Sequence, residues 1–331
     1  MSKPALNLLK RSGQFFGSVF RFLPRSFQSA VMRVFCAAIT HAPRKLSSGL
    51  FLFGYQVGKR MYRDNKQPVL LQRTMGGIFT MKLDVTKKTQ RILYLQKIYE
   101  PYLASYLTRT LSPGDTFIDI GANVGYFTLL AARQVGEGGR VIAFEPEQNN
   151  YAALVLNVRL NKLQNITCVQ KAVGAKEGFM SLHVNPLNEG GSSLIPILTY
   201  ADDEERWSHE KIREKFPDTA LEQKTEVITL DHFLTQNPLQ KQARVIIKID
   251  VESAELEVLQ GMRELLARTP TLSIVCEVTR EGEKIAALLN ERGYTIRALK
   301  NDGGSSPLPR ADRVQGKALL FMKESAILKN I

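Results

Sequence analysis

One stretch of twelve residues, 117–128, constrains the fold of this chain more than any other. It reads FIDIGANVGYFT, an apolar run followed by a turn with two glycines and then by the start of a helix. Glycines allow positive φ angles and let a ligand lie against bare backbone at the carboxyl edge of a sheet. The stretch therefore predicts the first strand, turn and helix of an α/β domain with a ligand site at the turn.

The pattern that follows supports a doubly wound α/β fold, because short apolar runs alternate with helical patterns from Pro113 onward. We expect strands at 116–120, 140–144, 166–173, 245–249 and 272–278, with 295–299 and 318–322 as an antiparallel closing pair. We expect helices at 124–134, 147–160, 254–267 and 282–292.

An insertion interrupts this domain at about 178–232. Residues 179–184 alternate like an antiparallel strand, and 185–196 have the composition of a loop. The segment 202–224 is so highly charged that it predicts a solvated helix or an exposed loop. The domain as a whole is predicted to span 113–331.

Residues 67–112 precede this domain and predict a hairpin and a helix. Apolar runs at 69–72 and 78–83 flank the turn Met75-Gly76-Gly77. A helix is predicted over 89–111, perturbed at Glu100 because the following proline restricts its backbone.

The positive charge of the chain is concentrated in residues 1–66. The net charge is +13, and these residues carry twelve basic side chains and a single acidic one, Asp64. The main domain is therefore almost neutral, so a nucleic-acid partner loses its chief support and none is expected.

This basic segment is amphipathic. Apolar side chains recur at helical spacing before and after Pro24, which can begin a second helix: Phe15, Phe16, Val19, Phe20, Leu23, Phe27, Val31, Val34 and Phe35. Three interpretations remain open: binding to an anionic membrane surface, packing on the main domain, and an organelle presequence. The uncharged stretch 46–58 is too short and too polar to span a membrane.

The cysteine and histidine patterns exclude two classes of site. Three widely separated cysteines, Cys36, Cys168 and Cys276, give no disulfide framework or zinc spacing, which favours a reducing compartment. The four histidines form no close ligand pair, so a metal would depend on carboxylates, and no metal ligand is assigned. We expect a cytoplasmic protein, with attachment to the membrane surface as an open alternative.

The turn favours a nucleoside without a diphosphate. A nicotinamide fingerprint would need glycines where Asn123 and Tyr126 stand. Glu145 ends the second strand 24 residues after Gly121, where a carboxylate can accept both ribose hydroxyl hydrogen bonds. The negative charge of Asp119 favours a sulfonium and an amino group over a pyrophosphate. S-adenosylmethionine (SAM) meets these conditions, with Gly121, Asn123, Gly125 and Ala172 as further cofactor-binding candidates beside Asp119 and Glu145.

At this point the chain resembles the FkbM-type SAM-dependent methyltransferases. The resemblance covers about 95–280 and rests on Tyr99-Glu100-Pro101, residues 113–128, 141–146 and 191–194, Thr229-Leu230-Asp231 and residues 247–252. It implies a class I methyltransferase fold, which is Rossmann-like with a mostly parallel, seven-stranded sheet and an antiparallel last strand. It also implies methyl transfer to a hydroxyl of a sugar, glycan, glycolipid or polyketide-like natural product.

The chain departs from the family pattern at Ser253, which stands where the family has a glycine. Because serine is a good helix cap, we expect the fold to tolerate it at a helix start. The exposed hydroxymethyl group would still alter the acceptor pocket.

Methyl transfer to a hydroxyl needs an in-line acceptor oxygen and a general base. Strand alternation places Lys248 and Asp250 on one face, with Glu252 following if the chain stays extended. Asp250 is the first candidate for the base, Glu252 the second and Glu277 the third. An ion-pair cluster around Lys248 is the structural alternative, and a carboxylate-bound divalent ion is another. Residues 191–194 are predicted either to cover the ligand or to form an ordinary flexible connection.

Two other functions remain open. One is a nicotinamide-dependent oxidoreductase on the same layered sheet. The other is a non-catalytic, membrane-associated module that keeps the nucleotide fold. The acceptor in the favoured interpretation is a small molecule, a glycan or a lipid-linked compound.

Overall fold

The chain forms two units, Met1–Tyr99 and Glu100–Ile331. The computed structural model describes residues 3–42, 44–62, 69–185, 191–195, 200–201, 206–207, 221–240, 244–300, 302–308 and 317–323. The division at residue 99 differs from the boundaries at 66 and 112 that the sequence predicts.

The first unit begins with three helices: α1 (Lys3–Phe20), α2 (Arg25–His41) and α3 (Arg44–Met61). Pro24 is the N-cap of α2, as the sequence predicts. Helix α1 lies very close to α3, because a Cβ added at Gly17 would come within 2.5 Å of the Val57 carbonyl oxygen. None of the helices in the described ranges is long and apolar enough to cross a membrane.

The predicted hairpin and the helix after it belong to this first unit. Strands β1 (Leu70–Met75) and β2 (Phe79–Asp84) pair antiparallel, and α4 follows at Lys88–Gln96. Helix α4 is attached to α2 and α3, because the Cys36 thiol donates to the Tyr94 carbonyl at 3.4 Å and Arg91 lies 5.0 Å from the Tyr55 ring.

The single helix predicted over 89–111 is wrong, because the chain forms two helices there. Helix α4 ends at Gln96 and is followed by Lys97 with φ 66°. Helix α5 (Pro101–Thr110) begins after Glu100, whose φ is 40°. Two left-handed residues and a proline within five positions break the helical hydrogen bonding.

The second unit contains the main sheet, whose strand order is β14-β13-β15-β12-β11-β3-β4-β5. Its neighbours pair in parallel from β5 to β12, and β15 is antiparallel to both β12 and β13. The strands are β3 (Thr116–Ile120), β4 (Arg140–Phe144), β5 (Ile166–Val169), β11 (Val245–Ile249), β12 (Leu272–Val278), β13 (Tyr294–Leu299), β14 (Ser305–Pro307) and β15 (Lys317–Lys323).

This order confirms the predicted doubly wound sheet with an antiparallel last strand. The sheet has eight strands rather than seven, because β14 pairs with the edge of β13. Strand β14 is three residues long and ends in a proline, so it has no alternating pattern that would predict it.

Helices pack against this sheet. Side chains that lie opposite one another on neighbouring strands fill its core. Ile247 lies opposite Ile118 on one side and Ile274 on the other, and all three are fully buried. The helices after α5 are α6 (Tyr126–Val135), α7 (Gln148–Leu160), α8 (Leu230–Gln236), α9 (Glu255–Gln260), α10 (Arg263–Arg268) and α11 (Gly282–Asn290). The helix predicted over 254–267 is thus two short helices, α9 and α10.

The third predicted strand, 166–173, divides between two sheets. Its first part is β5, whereas β6 (Ala172–Val173) lies in a three-stranded sheet with β10 (Glu222–Ile228) and β7 (Gly178–His183). Strand β7 is antiparallel, as predicted. The last residues of the charged segment 202–224 form the start of β10. The charged side chains of this strand alternate with Thr225 and Val227, which face inward.

Most of segment 202–224 and part of the predicted loop 185–196 lie outside the described residues. Two short described pieces, β8 (Tyr200–Ala201) and β9 (Arg206–Trp207), pair antiparallel.

The motif Thr229-Leu230-Asp231 connects two helices. The Thr229 hydroxyl accepts from the His232 amide at the start of α8. The Asp231 carboxylate accepts from the amides of Glu264 and Leu265 at 2.9 and 3.0 Å, in the first turn of α10. The motif therefore caps the N-termini of both helices, α8 through Thr229 and α10 through Asp231.

Candidate active site

The glycine turn after β3 is fixed by main-chain and side-chain hydrogen bonds. The amides of Gly121 and Ala122 donate to the Phe144 carbonyl at 3.0 and 2.9 Å. The Asn157 amide group in α7 donates to the Val124 carbonyl at 3.0 Å. The turn is thus held by the end of β4 and by α7.

Both glycines of the turn are required by the packing of the protein itself. Gly121 has φ 80°, and a Cβ there would lie 1.8 Å from the Asp250 carbonyl oxygen. Gly125 has φ 91°, and its Cβ would lie 2.6 Å from Leu154 Cδ1. The absence of a side chain at Gly121 therefore brings the residue after β11 against the turn after β3. Contact of these glycines with a cofactor remains a prediction.

Glu145 connects the end of β4 to the turn. One carboxylate oxygen accepts from the Asn123 amide at 2.7 Å, and the other accepts from the Glu147 amide at 3.0 Å. Asn123 has φ 50°, and its side-chain oxygen accepts from the Val124 amide at 2.7 Å. A carboxylate has about four acceptor sites. Each Glu145 oxygen therefore keeps one site for a hydroxyl, which fits the two hydroxyls of a ribose.

Lys248 lies at the centre of the site. Its ammonium is 3.5 Å from Asp119 Oδ1 and 3.3 Å from Asp250 Oδ2, and it donates to the Gly121 carbonyl at 3.1 Å. Thr128 donates to the second oxygen of Asp119 at 2.6 Å. The structure thus brings together Asp119, the turn and Asp250, which the sequence placed on separate strands.

The protonation of this cluster follows from burial and charge. Burial alone would lower the pKa of Lys248, but the carboxylates of Asp250 and Asp119 outweigh it and raise that pKa. Burial is also the main influence on Asp119, whose pKa it raises against the opposing effect of Lys248. Lys248 therefore stays charged.

Three further carboxylates surround Asp250. Burial, reinforced by the charge of Asp250, raises the pKa of Glu100 to about 7 and that of Glu252 to about 8. The same two influences raise the pKa of Glu277. Glu100, Lys248, Asp250 and Glu277 line one small cleft.

This cluster has more carboxylates than its one lysine can neutralise. A ligand with a sulfonium and an amino group would supply the missing positive charge, so the donor set fits SAM. No group of three or more acidic, histidine or cysteine side chains within the described residues is arranged to hold a metal ion.

Glu100 is the member of this cluster to which the sequence assigned no role. It lies before Pro101 with φ 40° and shares a hydrogen bond with Tyr102. The only signal was its place in the Tyr-Glu-Pro motif. Nothing local to the sequence places it beside residue 250.

The turn after β11 does not follow the predicted course. The chain leaves the extended conformation, with φ 50° at Glu252 and φ 86° at Ser253. Ser253 is not the helix cap that we predicted, because Ala254 is the N-cap of α9 and has no side-chain bond. The left-handed backbone turns Ser253 away from the capping position, and its amide instead donates to Glu255 at 2.8 Å.

The segment 191–194, predicted either to cover the ligand or to be an ordinary connection, contacts this turn through Ser193. Ser193 pairs with His183 through two main-chain hydrogen bonds, and its hydroxyl donates to the Glu252 carbonyl.

Ala172 pairs with Val227 in the smaller sheet and is buried there. Its contact with a cofactor stays a prediction.

This chain is similar to several known proteins. The family profile described as "Methyltransferase FkbM domain" matches residues 119–296, more than half of the chain. "Methyltransferase sdnD" of Sordaria araneosa is 29% identical over 202 residues, covering 56% of this chain and 75% of that protein. "31-O-demethyl-FK506 methyltransferase FkbM" of Streptomyces tacrolimicus is 30% identical over 200 residues, with the same two coverages. A crystal structure of methyltransferase FkbM from Methylobacillus flagellatus is 14% identical, with a TM-score of 0.38, covering 88% of this chain and 58% of that one.

The raised pKa values predict that the ligand-free protein loses stability as pH rises. Glu100 and Glu145 have pKa values of about 7 when folded and Glu252 about 8, against an ordinary value of 4.5. As pH rises, these carboxyl groups therefore lose their protons at a lower pH in the unfolded chain than in the folded one. The free energy of unfolding should be highest below pH 4.5 with respect to these groups. It should fall by several kcal/mol towards pH 8, because each unit by which a folded pKa exceeds its unfolded value corresponds to about 1.4 kcal/mol.

Chemical denaturation at a series of pH values measures this slope. Glu145→Gln should flatten it, because the amide does not titrate, whereas Glu137→Gln, at an exposed position, should leave it unchanged. A wild-type stability that is constant or rises between pH 4.5 and 8, with the Glu145→Gln protein behaving identically, would contradict the assignment.

The left-handed backbone at Ser253 predicts that Ser253→Gly stabilises the protein by about 1 kcal/mol, because glycine adopts positive φ without the steric cost of a Cβ. Ser253→Ala is the matched comparison, since it keeps the Cβ and loses only the hydroxyl, which lies 3.3 Å from the Thr279 hydroxyl. Denaturant midpoints should rank the glycine protein above the alanine protein. The reverse order would contradict backbone strain at residue 253, because both variants lack the hydroxyl and differ only in the Cβ.

Proposed function

The chain belongs to the FkbM methyltransferase family, and on that premise we propose that it transfers a methyl group to a hydroxyl oxygen. Its fold is the class I methyltransferase fold, and its methyl donor is SAM. The proposed acceptor is a sugar, glycan, glycolipid or polyketide-like natural product. The family membership displaces the nicotinamide-dependent alternative.

Oxygen as the acceptor atom has support from one relative and from the charge of the site. The name of the Streptomyces tacrolimicus protein describes its substrate as an O-demethyl compound. In this chain, carboxylates surround the place where an acceptor proton would be released. A hydroxyl needs a base because it is a weak acid, so the carboxylates suit this acceptor better than one that is already deprotonated.

One observation carries the proposal: the Asp250 main chain lies against Gly121. A Cβ at Gly121 would overlap the Asp250 carbonyl, and the Asp250 amide donates to Ile120 at 3.0 Å. The cofactor turn and the first candidate base therefore share one edge of the sheet, outside the carboxyl ends of β3 and β11. In an open α/β sheet this edge is where ligands bind.

The residues on the two sides of that edge would have different roles. Glu145 would hold the ribose through its two free acceptor sites, and Asp119 and Asp250 would face the positive charge. When bound, SAM supplies a methyl group on an electrophilic sulfonium. The protein then has to place an acceptor oxygen in line and take up its proton.

Asp250 is the proposed base. Lys248 holds its carboxylate at 3.3 Å and so fixes its orientation, while 26% of the side chain stays exposed to the cleft. Glu252 and Glu277 lie close enough for the charge of Asp250 to raise their pKa values. Glu252 can take the proton on from Asp250 only in its deprotonated form, which a pKa of about 8 makes predominant above that pH.

The test is formation of S-adenosylhomocysteine in the presence of hydroxyl-bearing acceptors. Asp250→Asn should lower kcat by a factor of about 100 to 10,000, the usual contribution of a general base, and the loss should persist when SAM is saturating. Glu252→Gln should lower kcat less, and it should remove any rise in rate with pH through about 8.

The matched control is Glu137→Gln, a charge loss at an exposed site in the same domain. Full activity of the Asp250→Asn protein would show that Lys248 and its partners form only a structural ion-pair cluster. If wild-type protein binds SAM yet methylates no member of a broad acceptor panel, the non-catalytic alternative is favoured.

A further inference from the structure

The corner between α1 and α2 exposes a continuous aromatic surface. Phe15, Phe16, Phe22 and Phe27 are 66%, 44%, 77% and 49% exposed. Successive ring centroids lie 5.8 Å apart from Phe15 to Phe16, 6.0 Å from Phe16 to Phe20 and 6.4 Å from Phe20 to Phe27. We call the surface formed by these five residues the aromatic corner.

The exposed apolar surface continues along both helices. On α1, Leu8 and Val19 are 66% and 48% exposed, and they share a helical stripe with Phe15. On α2, Val34 is 67% exposed and lies seven residues after Phe27, on the same face. The apolar surface is therefore an extended patch rather than a few scattered side chains.

This patch is additional to the core of the helical unit. Met32, Cys36 and Val57 fill the interior and are almost fully buried. Phe35 and Phe53 pack between the helices, with ring centroids 5.5 Å apart. Large contiguous apolar surfaces on a folded protein mark interaction sites.

The charge around the patch indicates what would cover it. Residues 1–42 contain six lysine and arginine side chains and no acidic residue. Arg11, Arg25 and Arg33 are exposed, and the Arg21 guanidinium lies 4.6 Å from the centre of the Phe22 ring. The partner must therefore accept phenyl rings and carry negative charge at the same surface.

We propose that the aromatic corner docks into the surface of an anionic lipid bilayer. Phenylalanine side chains enter the boundary between headgroups and acyl chains, while arginines reach back to the phosphates. Each basic side chain close to such a surface should strengthen binding about fivefold. A second copy of the chain is a poorer fit, because it would bring arginines against arginines with no acidic side chain from this segment between them.

The experiment uses the full-length protein and two kinds of vesicle, pure phosphatidylcholine and phosphatidylcholine with phosphatidylglycerol. Co-sedimentation should occur with the anionic vesicles and weaken as salt is added. The double variant Arg21→Gln/Arg25→Gln should bind about 30-fold more weakly, the equivalent of about 2 kcal/mol. Phe15→Ser/Phe22→Ser should lose binding to a similar or greater extent.

The matched controls lie in the second unit. Arg263→Gln/Arg268→Gln removes two exposed arginines, and Phe179→Ser removes a phenylalanine that is 65% exposed. Both should bind like wild type. Thermal unfolding measured on every variant separates loss of binding from loss of fold.

Three results would overturn the proposal. Equal binding to neutral vesicles would remove the role of charge, and equal losses in the control variants would remove the role of the corner. Sedimentation of lipid-free wild-type protein as a dimer that Phe15→Ser/Phe22→Ser dissociates would show that a second copy covers the patch. None of these results depends on the proposed methyl transfer.

Discussion

The buried ammonium of Lys248 is the interaction on which the site depends. It joins the end of β3, through Asp119, to the glycine turn and to Asp250 after β11. Burying three charges is costly, and the cost is offset only where the geometry is good and the remaining polar atoms are bonded. Thr128 meets part of that need by donating to Asp119. Without the lysine, two carboxylates would face each other inside the sheet edge.

This arrangement follows from the order of the strands. Because β3 and β11 are neighbours and parallel, their carboxyl ends meet at the point where the strand order of the sheet reverses. The φ of 80° at Gly121 and its missing Cβ allow the two chain ends to touch. Glu145, from β4 on the other side of β3, closes the turn from the opposite direction. The site therefore combines a hydrogen-bonding side at Glu145 with a side on which carboxylates outnumber the single lysine.

The sequence was most informative where one local property decided the structure. Strands β3, β4, β11 and β12 begin and end at the predicted residues because each is a mostly apolar, buried run bounded by charged or turn residues. Tertiary contacts decided the rest. Helix α3 contains glycines that weaken a helix but allow close packing on α2, since a Cβ at Gly54 would lie 3.1 Å from Phe35. Glu100 joins the acid cluster only because the chain folds back to residue 250, which no local pattern records.

The most direct test of this account is a crystal structure of the protein with S-adenosylhomocysteine bound. The account predicts the ribose hydroxyls on the Glu145 carboxylate and the amino group and sulfur on the side of Asp119 and Asp250, with Lys248 still bridging the two aspartates. A nucleoside bound elsewhere, or one that leaves Glu145 bonded only to the amides of Asn123 and Glu147, would contradict it.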